Sequence, residues 1–199
     1  MNFFLDTIGA TFAGGLILLM IFGAIMNMQA LSYNMQQQVI LSSIAENLLS
    51  GRTISGITYS GLESYLSKVG AGVPAAIDPI IDASSNGFKF RGQQTTISAI
   101  STFYIVSETQ VGNAYPLYVY LNDMNNPIAG PFWLADPLNI TYYDVNNSVI
   151  ANPNSNHSSI RSARFEFNFT FDTYRDDIDK RLIRYPTVIW KYFKNLYLR

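Results

Sequence analysis

The sequence predicts an α+β fold, in which one long N-terminal helix is followed by a mostly antiparallel β-sheet. Two observations indicate this. Residues 7–45 contain no charged side chain, which is typical of a continuous apolar helix rather than of loops. From residue 87 onward the chain is rich in Tyr and Phe and alternates apolar with polar residues, as half-buried strands do. We therefore expect a stem helix at residues 1–50 and a globular β-rich head at residues 51–199.

The first half of the stem matches a membrane-spanning helix in length. Ile8 to Met28 provides about twenty mostly apolar residues. Four interpretations compete: a cleaved signal peptide, a bilayer anchor, a buried core helix, or the packing stem of a polymer. A signal peptide should open with basic residues, but no Lys or Arg precedes Arg52. A helix of about 45 residues is about 70 Å long, too long to be buried in its own domain, so the anchor and the polymer stem remain.

The second half of the stem changes from apolar all round to one-sided. Polar Gln, Ser and Asn residues flank a stripe of apolar residues at steps of three to five, and Gly51 is the expected helix stop. The stripe consists of Met28, Leu31, Met35, Val39, Ile44 and Leu48.

The head begins with a predicted short helix and continues as strands. Ser60 and Glu63 have the spacing of a capping box, and Gly70 is the expected end of that helix. Pro and Gly punctuate residues 71–87, which we interpret as a loop. Strands are predicted in 87–92, 95–109, 115–123, 138–143, 160–174 and 184–199, with the last two antiparallel to each other.

The composition argues against several classes of function. A formal net charge of −1, with 14% charged residues, gives no nucleic-acid-binding patch. The absence of cysteine excludes disulfides and thiolate chemistry. His157, the only histidine, lies in a polar stretch without neighbouring acids. We therefore expect neither an enzyme nor a cofactor or metal site.

Four Asn-x-Ser/Thr sequons are candidate glycosylation sites, provided that the source cell glycosylates. Most fall at or beside predicted turns, and one lies on the polar face of a predicted strand. They are Asn139, Asn146, Asn156 and Asn168.

Three stretches, together with the end of the chain, carry a resemblance to a known protein family. The first is the stem, an apolar half-helix continued by an amphipathic one. The second is "IIDASSNGFKF", the third is "ITYYDVNNSVI" with "SSIRSARFEFNFTF", and the end is "WKYFKNLYLR". These stretches resemble type IV pilin-like proteins, in particular minor pilins and type II secretion pseudopilins: the second resembles the family's small-residue turn before a first strand, the third its Tyr-Tyr-Asp turn and long terminal strand, and the end its basic final strand.

The resemblance implies that Met1 is the processed N-terminus and that Asp6 neutralises the amino terminus of a neighbouring subunit. This sequence departs from the family, because no Glu precedes Glu46 and Asp6 is offset by one position. The alternative for Asp6 is an interfacial acid favoured by the helix dipole.

Small residues in the stem allow helix backbones to approach closely. We therefore expect neighbouring stems to pack on both small and large residues of the apolar half. The candidate packing residues are Phe12, Gly14, Gly15, Leu16, Leu19, Ile21, Phe22 and Ile25.

These observations predict a structural subunit of an extracellular or periplasmic filament, a pilus or pseudopilus. Its expected partners are identical subunits, the inner membrane before assembly, and an assembly machinery, with no nucleic acid. After assembly it would lie at the cell surface. Two alternatives stay open: a membrane-anchored β domain that binds a ligand or partner without polymerising, and a minor pseudopilin that caps a secretion filament.

Overall fold

The computed structural model describes residues 2–54, 57–95, 98–172 and 182–197. The long helix α1 (Asn2–Ser50) has 49 residues. It ends before Gly51, whose φ of 84° lies in the left-handed region that glycine adopts without a Cβ clash. The predicted stem helix is therefore confirmed. The chain divides into two units, residues 1–40 and residues 41–199, so the last turns of α1 belong to the head.

The head alternates short strands with tight connections. Its described strands are β1 (Gly51–Ile54), β2 (Ile57–Ser60), β3 (Ile80–Ala83), β4 (Gly87–Gln93), β5 (Ile100–Ser107), β6 (Tyr115–Leu121), β7 (Pro127–Leu134), β8 (Asn139–Tyr143), β9 (Ser162–Asp172) and β10 (Leu182–Tyr192). Its described helical segments are α2 (Leu62–Leu66), two 3-10 turns (Pro153–Ser155 and His157–Ser159) and α3 (Lys194–Tyr197).

Strands β3 to β10 form one curled antiparallel sheet, and β1 with β2 forms a separate hairpin. The strand order is β10-β9-β7-β6-β5-β4-β3, with β8 paired to β9 beside β7. In the curled sheet β8 reaches the turn between β3 and β4: Ile140 N–H donates to the Ser85 carbonyl at 2.7 Å, and the Tyr142 hydroxyl donates to the Ser84 carbonyl at 3.0 Å. The predicted α+β class, a helix followed by an antiparallel sheet, is confirmed.

Strand β9 illustrates how alternation in the sequence builds this sheet. Phe165, Phe167 and Phe169 are buried on the inner face, whereas Glu166 and Asn168 lie on the outer face and are partly exposed. All of β9 pairs with β10 in the antiparallel sense. The predicted pairing of the last two strands is therefore confirmed.

The last turns of α1 contribute to the head core, and of the predicted stripe only Leu48 takes part among the described residues. Leu41, Ala45 and Leu48 are buried, whereas Val39 and Ile44 are exposed. The stem offers apolar side chains in several directions, and burial selects the row at i, i+4 and i+7 that begins at Leu41.

The predicted capping box is wrong. Helix α2 begins at Leu62, its N-cap is Gly61, and no side chain caps it. Ser60 instead ends β2. A Cβ atom at Gly61 would overlap the backbone of residues 49–51, so the close approach of the chain to the end of α1 requires glycine at the position where the helix starts.

Other differences concern elements that the sequence did not reveal. Strand β3 lies in the stretch predicted to be a loop, β7 was not predicted, and residues 194–197 form a helical turn instead of continuing the last strand. Each of these segments contains or adjoins Pro, Gly or Asn, which argue locally against a strand.

Two buried tyrosines make the stability of the head vary with pH in the alkaline range. Burial, followed by a hydrogen bond donated to Glu108 Oε1 at 2.6 Å, raises the pKa of Tyr120 from 10.0 to about 12. Burial also raises the pKa of Tyr142.

We expect the free energy of unfolding to fall as the pH rises from 10 to 12. In this interval the unfolded chain loses the Tyr120 proton while the folded chain retains it, so ionisation favours unfolding. Urea unfolding at several pH values should show the decline, and Tyr120→Phe should make it shallower, with the remainder due to Tyr142 and Tyr65, whose pKa values burial also raises. Equal slopes for the two proteins would contradict this assignment.

Candidate assembly surface on the stem

The apolar half of α1 presents its side chains to the surroundings in every direction. All described side chains in residues 3–36 are exposed, among them many large apolar ones such as Leu18, Leu19 and Met20. Within the described chain, α1 is the one helix that is long and apolar enough to cross a membrane, and its most apolar 18-residue stretch has a mean hydropathy of 2.2. A soluble, isolated helix with this surface would be unfavourable in water, because each large apolar side chain contributes about 1.5–3 kcal/mol when it leaves water.

The predicted packing residues divide into two opposite faces of the helix. Successive residues are separated by about 100° around the axis. The first face carries Phe12, Gly15, Leu16, Leu19 and Phe22, and the opposite face carries Gly14, Ile21 and Ile25. Such a helix can be covered by neighbours on two sides at once, as in the interior of a bundle.

The first face contains an open groove of about 930 Å³ to which Gly15 contributes part of the lining. An added Cβ at Gly15 would meet no atom within 4 Å, so the absence of a side chain there leaves room for an approaching group. The residues that line the groove are Thr7, Ile8, Thr11, Phe12, Gly15, Leu16, Leu18, Leu19 and Phe22.

The hydroxyl groups of the two threonines in this groove form hydrogen bonds within the helix. Thr7 Oγ1 donates to the Phe3 carbonyl and Thr11 Oγ1 donates to the Thr7 carbonyl, each at 2.8 Å. Since both bonds stay within the helix, the hydroxyls need no external partner in an apolar environment. Sequence reasoning missed these residues, although two threonines four positions apart in an apolar helix were the available signal.

Asp6 is exposed and is the only charged residue in the first 45 positions. It lies beyond the first turn of α1. Among the described positions, that first turn contains no acidic residue. The helix dipole acts mainly within that first turn, so the dipole alone is a weak reason for a carboxylate here. Met1 lies outside the described residues, and its predicted pairing with Asp6 stays a prediction.

His157 has a structural position in the head. Its Nε2 atom lies 3.0 Å from Asn154 Oδ1 and its Nδ1 atom lies 3.6 Å from Asp78 Oδ2. The ring borders a cleft of about 300 Å³. Asn154 Oδ1 also accepts the Ala83 N–H at 3.1 Å, so this cluster holds the 3-10 turns against the edge of β3.

The four sequons differ in their surroundings, and their glycosylation stays a prediction. Asn139, Asn146 and Asn156 are exposed, whereas Asn168 is partly buried. Asn168 Nδ2 donates to Asp136 Oδ2 at 2.6 Å, and Asn139 Nδ2 donates to Glu166 Oε2 at 2.8 Å.

The architecture of a long apolar N-terminal helix followed by an antiparallel sheet is consistent with a pilin-like protein. No family model matches the chain, and no curated protein or solved structure matches it.

Proposed function

We propose that this protein is a structural subunit that polymerises through its N-terminal helix. The stems would form the core of a helical filament and the heads its outer layer. The observation that carries this proposal is the groove at Gly15, together with a second apolar face on the opposite side of α1. A single-pass anchor surrounded by fluid lipid needs no such recess, whereas a helix packed against other helices does.

The apolar surface of the stem would contact lipid before assembly and the stems of neighbouring subunits afterwards. Before assembly, residues 8–28 would lie in the inner membrane, since their length and composition suit a bilayer. In the filament, stems of identical subunits would replace the lipid. Lipid chains are as apolar as the stem, so extraction must be driven by close packing and by an assembly machinery. Once the filament is outside the membrane, withdrawal of a stem into water would be strongly unfavourable.

Asp6 fits this role, because a carboxylate in an apolar bundle requires a compensating charge. The amino terminus of a neighbouring subunit would provide it. No catalytic step is part of this proposal. The filament would be an extracellular or periplasmic pilus or pseudopilus, in which the chain forms either the body or a cap.

The second candidate is a membrane-anchored head that binds a partner without polymerising. The length and hydropathy of α1 also suit a lone anchor.

Electron microscopy of the sheared surface fraction from producing cells, combined with the intact mass of the subunit, distinguishes the two candidates. We expect uniform thin filaments built mainly of this chain. The mass would also define the N-terminus and any glycans. A chain that remains in the membrane as single copies, with no filaments in the sheared fraction, would overturn the polymer and support the anchored head.

A further inference from the structure

One edge of the sheet is open over a short segment of β10. Strand β10 is the last strand in the sheet order and pairs with β9. Among the described residues no strand pairs with its other side. We call residues 188–192 of β10 the open segment. An exposed strand edge presents unpaired N–H and C=O groups, which can pair with another chain.

The backbone of β10 alternates between β9 and the open edge. Phe193 N–H donates to the Arg161 carbonyl at 2.9 Å, so odd-numbered residues in this segment direct their backbone groups to β9. Even-numbered residues direct theirs outward. Pro186, which has no N–H, occupies an even position, as expected for proline on an edge strand. In the described part of the chain, no group bonds to the outward backbone groups of the open segment.

The side chains of the same even residues form an exposed apolar row. Val188, Trp190 and Tyr192 are 53%, 46% and 48% exposed. The Trp190 ring stacks on Tyr143 with a centroid distance of 4.7 Å and lies 6.3 Å from the Tyr192 ring. These contacts hold the rings in place, so a partner would order few additional side chains on binding.

The opposite edge of the sheet, at β3, is covered. Ala83 N–H donates to Asn154 Oδ1, and Ile80 N–H donates to Asp78 Oδ1, each at 3.1 Å. The 3-10 turns of residues 153–159 pack along this edge. Strand addition therefore cannot continue from the β10 edge of one copy to the β3 edge of the next.

We propose that the open segments of two copies pair antiparallel around a two-fold axis at Trp190, which joins the sheets of two heads. In this register Trp190 faces Trp190 of the second copy, and Val188 faces Tyr192. The three facing pairs of even residues are the hydrogen-bonded ones, and each exchanges two backbone hydrogen bonds, about six in total; Ile189 faces Lys191 in the non-hydrogen-bonded pairs between them. Aromatic pairs and pairs of aromatic with β-branched residues are favourable cross-strand neighbours.

The open segment is self-complementary in length. Beyond it, Pro186 of one copy would face Lys194 of the other, where α3 begins. Proline has no N–H to donate, and the helix ends the extended backbone. At each end, the pairing therefore stops where Pro186 of one copy faces Lys194 of the other. Because the β3 edge is covered, no third copy can be added, and the contact is limited to two copies.

Lys191 is the one opposing charge in the open segment. Its side chain lies on the inner face, and in the proposed register the two Lys191 residues are diagonal neighbours about 7–8 Å apart. Salt screens such a repulsion, so pairing should strengthen as ionic strength rises. A two-fold contact cannot repeat between successive subunits of a polar filament. It would join two filaments or two membrane-bound heads, and it does not depend on polymerisation.

Disulfide trapping on the full-length chain in its native membrane tests the register. The chain has no cysteine, so introduced thiols report without background. We expect Trp190→Cys to cross-link to its own copy, because facing Cα atoms are about 5.5 Å apart, within disulfide reach. Val188→Cys alone and Tyr192→Cys alone should fail, because each residue lies about 14 Å from its own copy. When the two variants are produced together, a cross-link should form between the thiol introduced at residue 188 of one copy and the thiol introduced at residue 192 of the other. Trp190 is unchanged in both variants.

The outcomes separate the proposal from its alternatives. Cross-linking of Trp190→Cys, with restoration only in the Val188→Cys and Tyr192→Cys mixture, supports the two-fold pairing. Equal cross-linking of all three single variants, or of none, overturns it. Because the assay needs only membrane-bound chains, its failure is distinguishable from a failure to form filaments.

A charge exchange at the axis provides a second test of symmetry. Trp190→Lys alone and Trp190→Glu alone should each abolish Val188–Tyr192 cross-linking in the corresponding cysteine backgrounds, because like charges would face each other. A mixture of the lysine and glutamate variants should recover it. Cross-linking that persists in either single variant, or that fails to return in the mixture, would contradict a two-fold axis at this residue.

Discussion

Replacing Phe88 by alanine is expected to lower the free energy of unfolding of the head by about 4 kcal/mol, the effect of deleting a buried phenylalanine ring. Phe88 is 2% exposed. Its ring centroid lies 5.0 Å from Phe90, 5.7 Å from Tyr142, 6.0 Å from Phe165 and 5.5 Å from Phe193. Phe90, Tyr142 and Phe165 lie on three different strands and Phe193 lies between β10 and α3, so the cavity left by alanine cannot close by the movement of one side chain.

Thermal unfolding followed by near-ultraviolet circular dichroism would measure this change, because the signal reports aromatic packing in the head. A loss of about 4 kcal/mol corresponds to a decrease in Tm of about 10 °C for a domain of this size. Trp133→Ala is the matched control, since Trp133 is 42% exposed; we expect a loss below about 1 kcal/mol. Similar Tm values for the two variants would show that Phe88 is not a centre of the core.

The strands that the sequence predicts well are those with one buried face. In β9 every second residue from Phe165 to Phe169 is an inward-facing phenylalanine, and β4 shows the same alternation at Phe88 and Phe90. The period of two fixes both the element and the face that it buries. These two strands also supply much of the aromatic core. The alternation of apolar and polar residues along them therefore predicts a large part of that core.

The strands that the sequence does not predict carry residues that argue locally against a strand. Strand β7 contains Gly130 and Pro131 and begins at Pro127, and its register with β6 shifts along its length. Strand β3 follows Pro79 and has four residues. Both form because pairing with the adjacent strands, β6 for β7 and β4 for β3, satisfies their backbone groups, and the residue pattern within a strand contains no information about the strand that pairs with it.

The candidate assembly surface is also predicted only in part, because a local pattern shows which segment is apolar but not how its residues are arranged in space. Composition alone locates the apolar half of the stem. The geometry of α1 adds that Gly15 lines a groove, whereas Gly14, about 100° away around the helix axis, does not. The open edge at β10 was beyond sequence reasoning, because it depends on the order of strands in the sheet and on which backbone groups β9 uses.

Gly15→Leu is expected to abolish filament formation while leaving the chain folded and in the membrane. The new side chain fills the groove that we assign to a neighbouring stem, and small residues at helix contacts tolerate such filling poorly. Within one chain the added Cβ clashes with nothing, because no atom lies within 4 Å of it. Leucine also favours a helix over glycine by roughly 0.8 kcal/mol and adds apolar surface. The helix and the anchor should therefore both become more stable.

This combination makes Gly15→Leu a sharp test of the proposed function, because a polymer stem and a plain anchor respond to it in opposite ways. Counting filaments by electron microscopy, with the membrane-bound amount of each variant measured in parallel, records both responses. Ala30→Leu is the matched control, since it makes a similar change at an exposed position beyond the apolar half; filaments should persist. If Gly15→Leu retained normal filaments, stems would not pack through this groove. Loss of filaments with an undiminished membrane pool would show that the groove binds another helix, because in lipid alone the substitution is favourable.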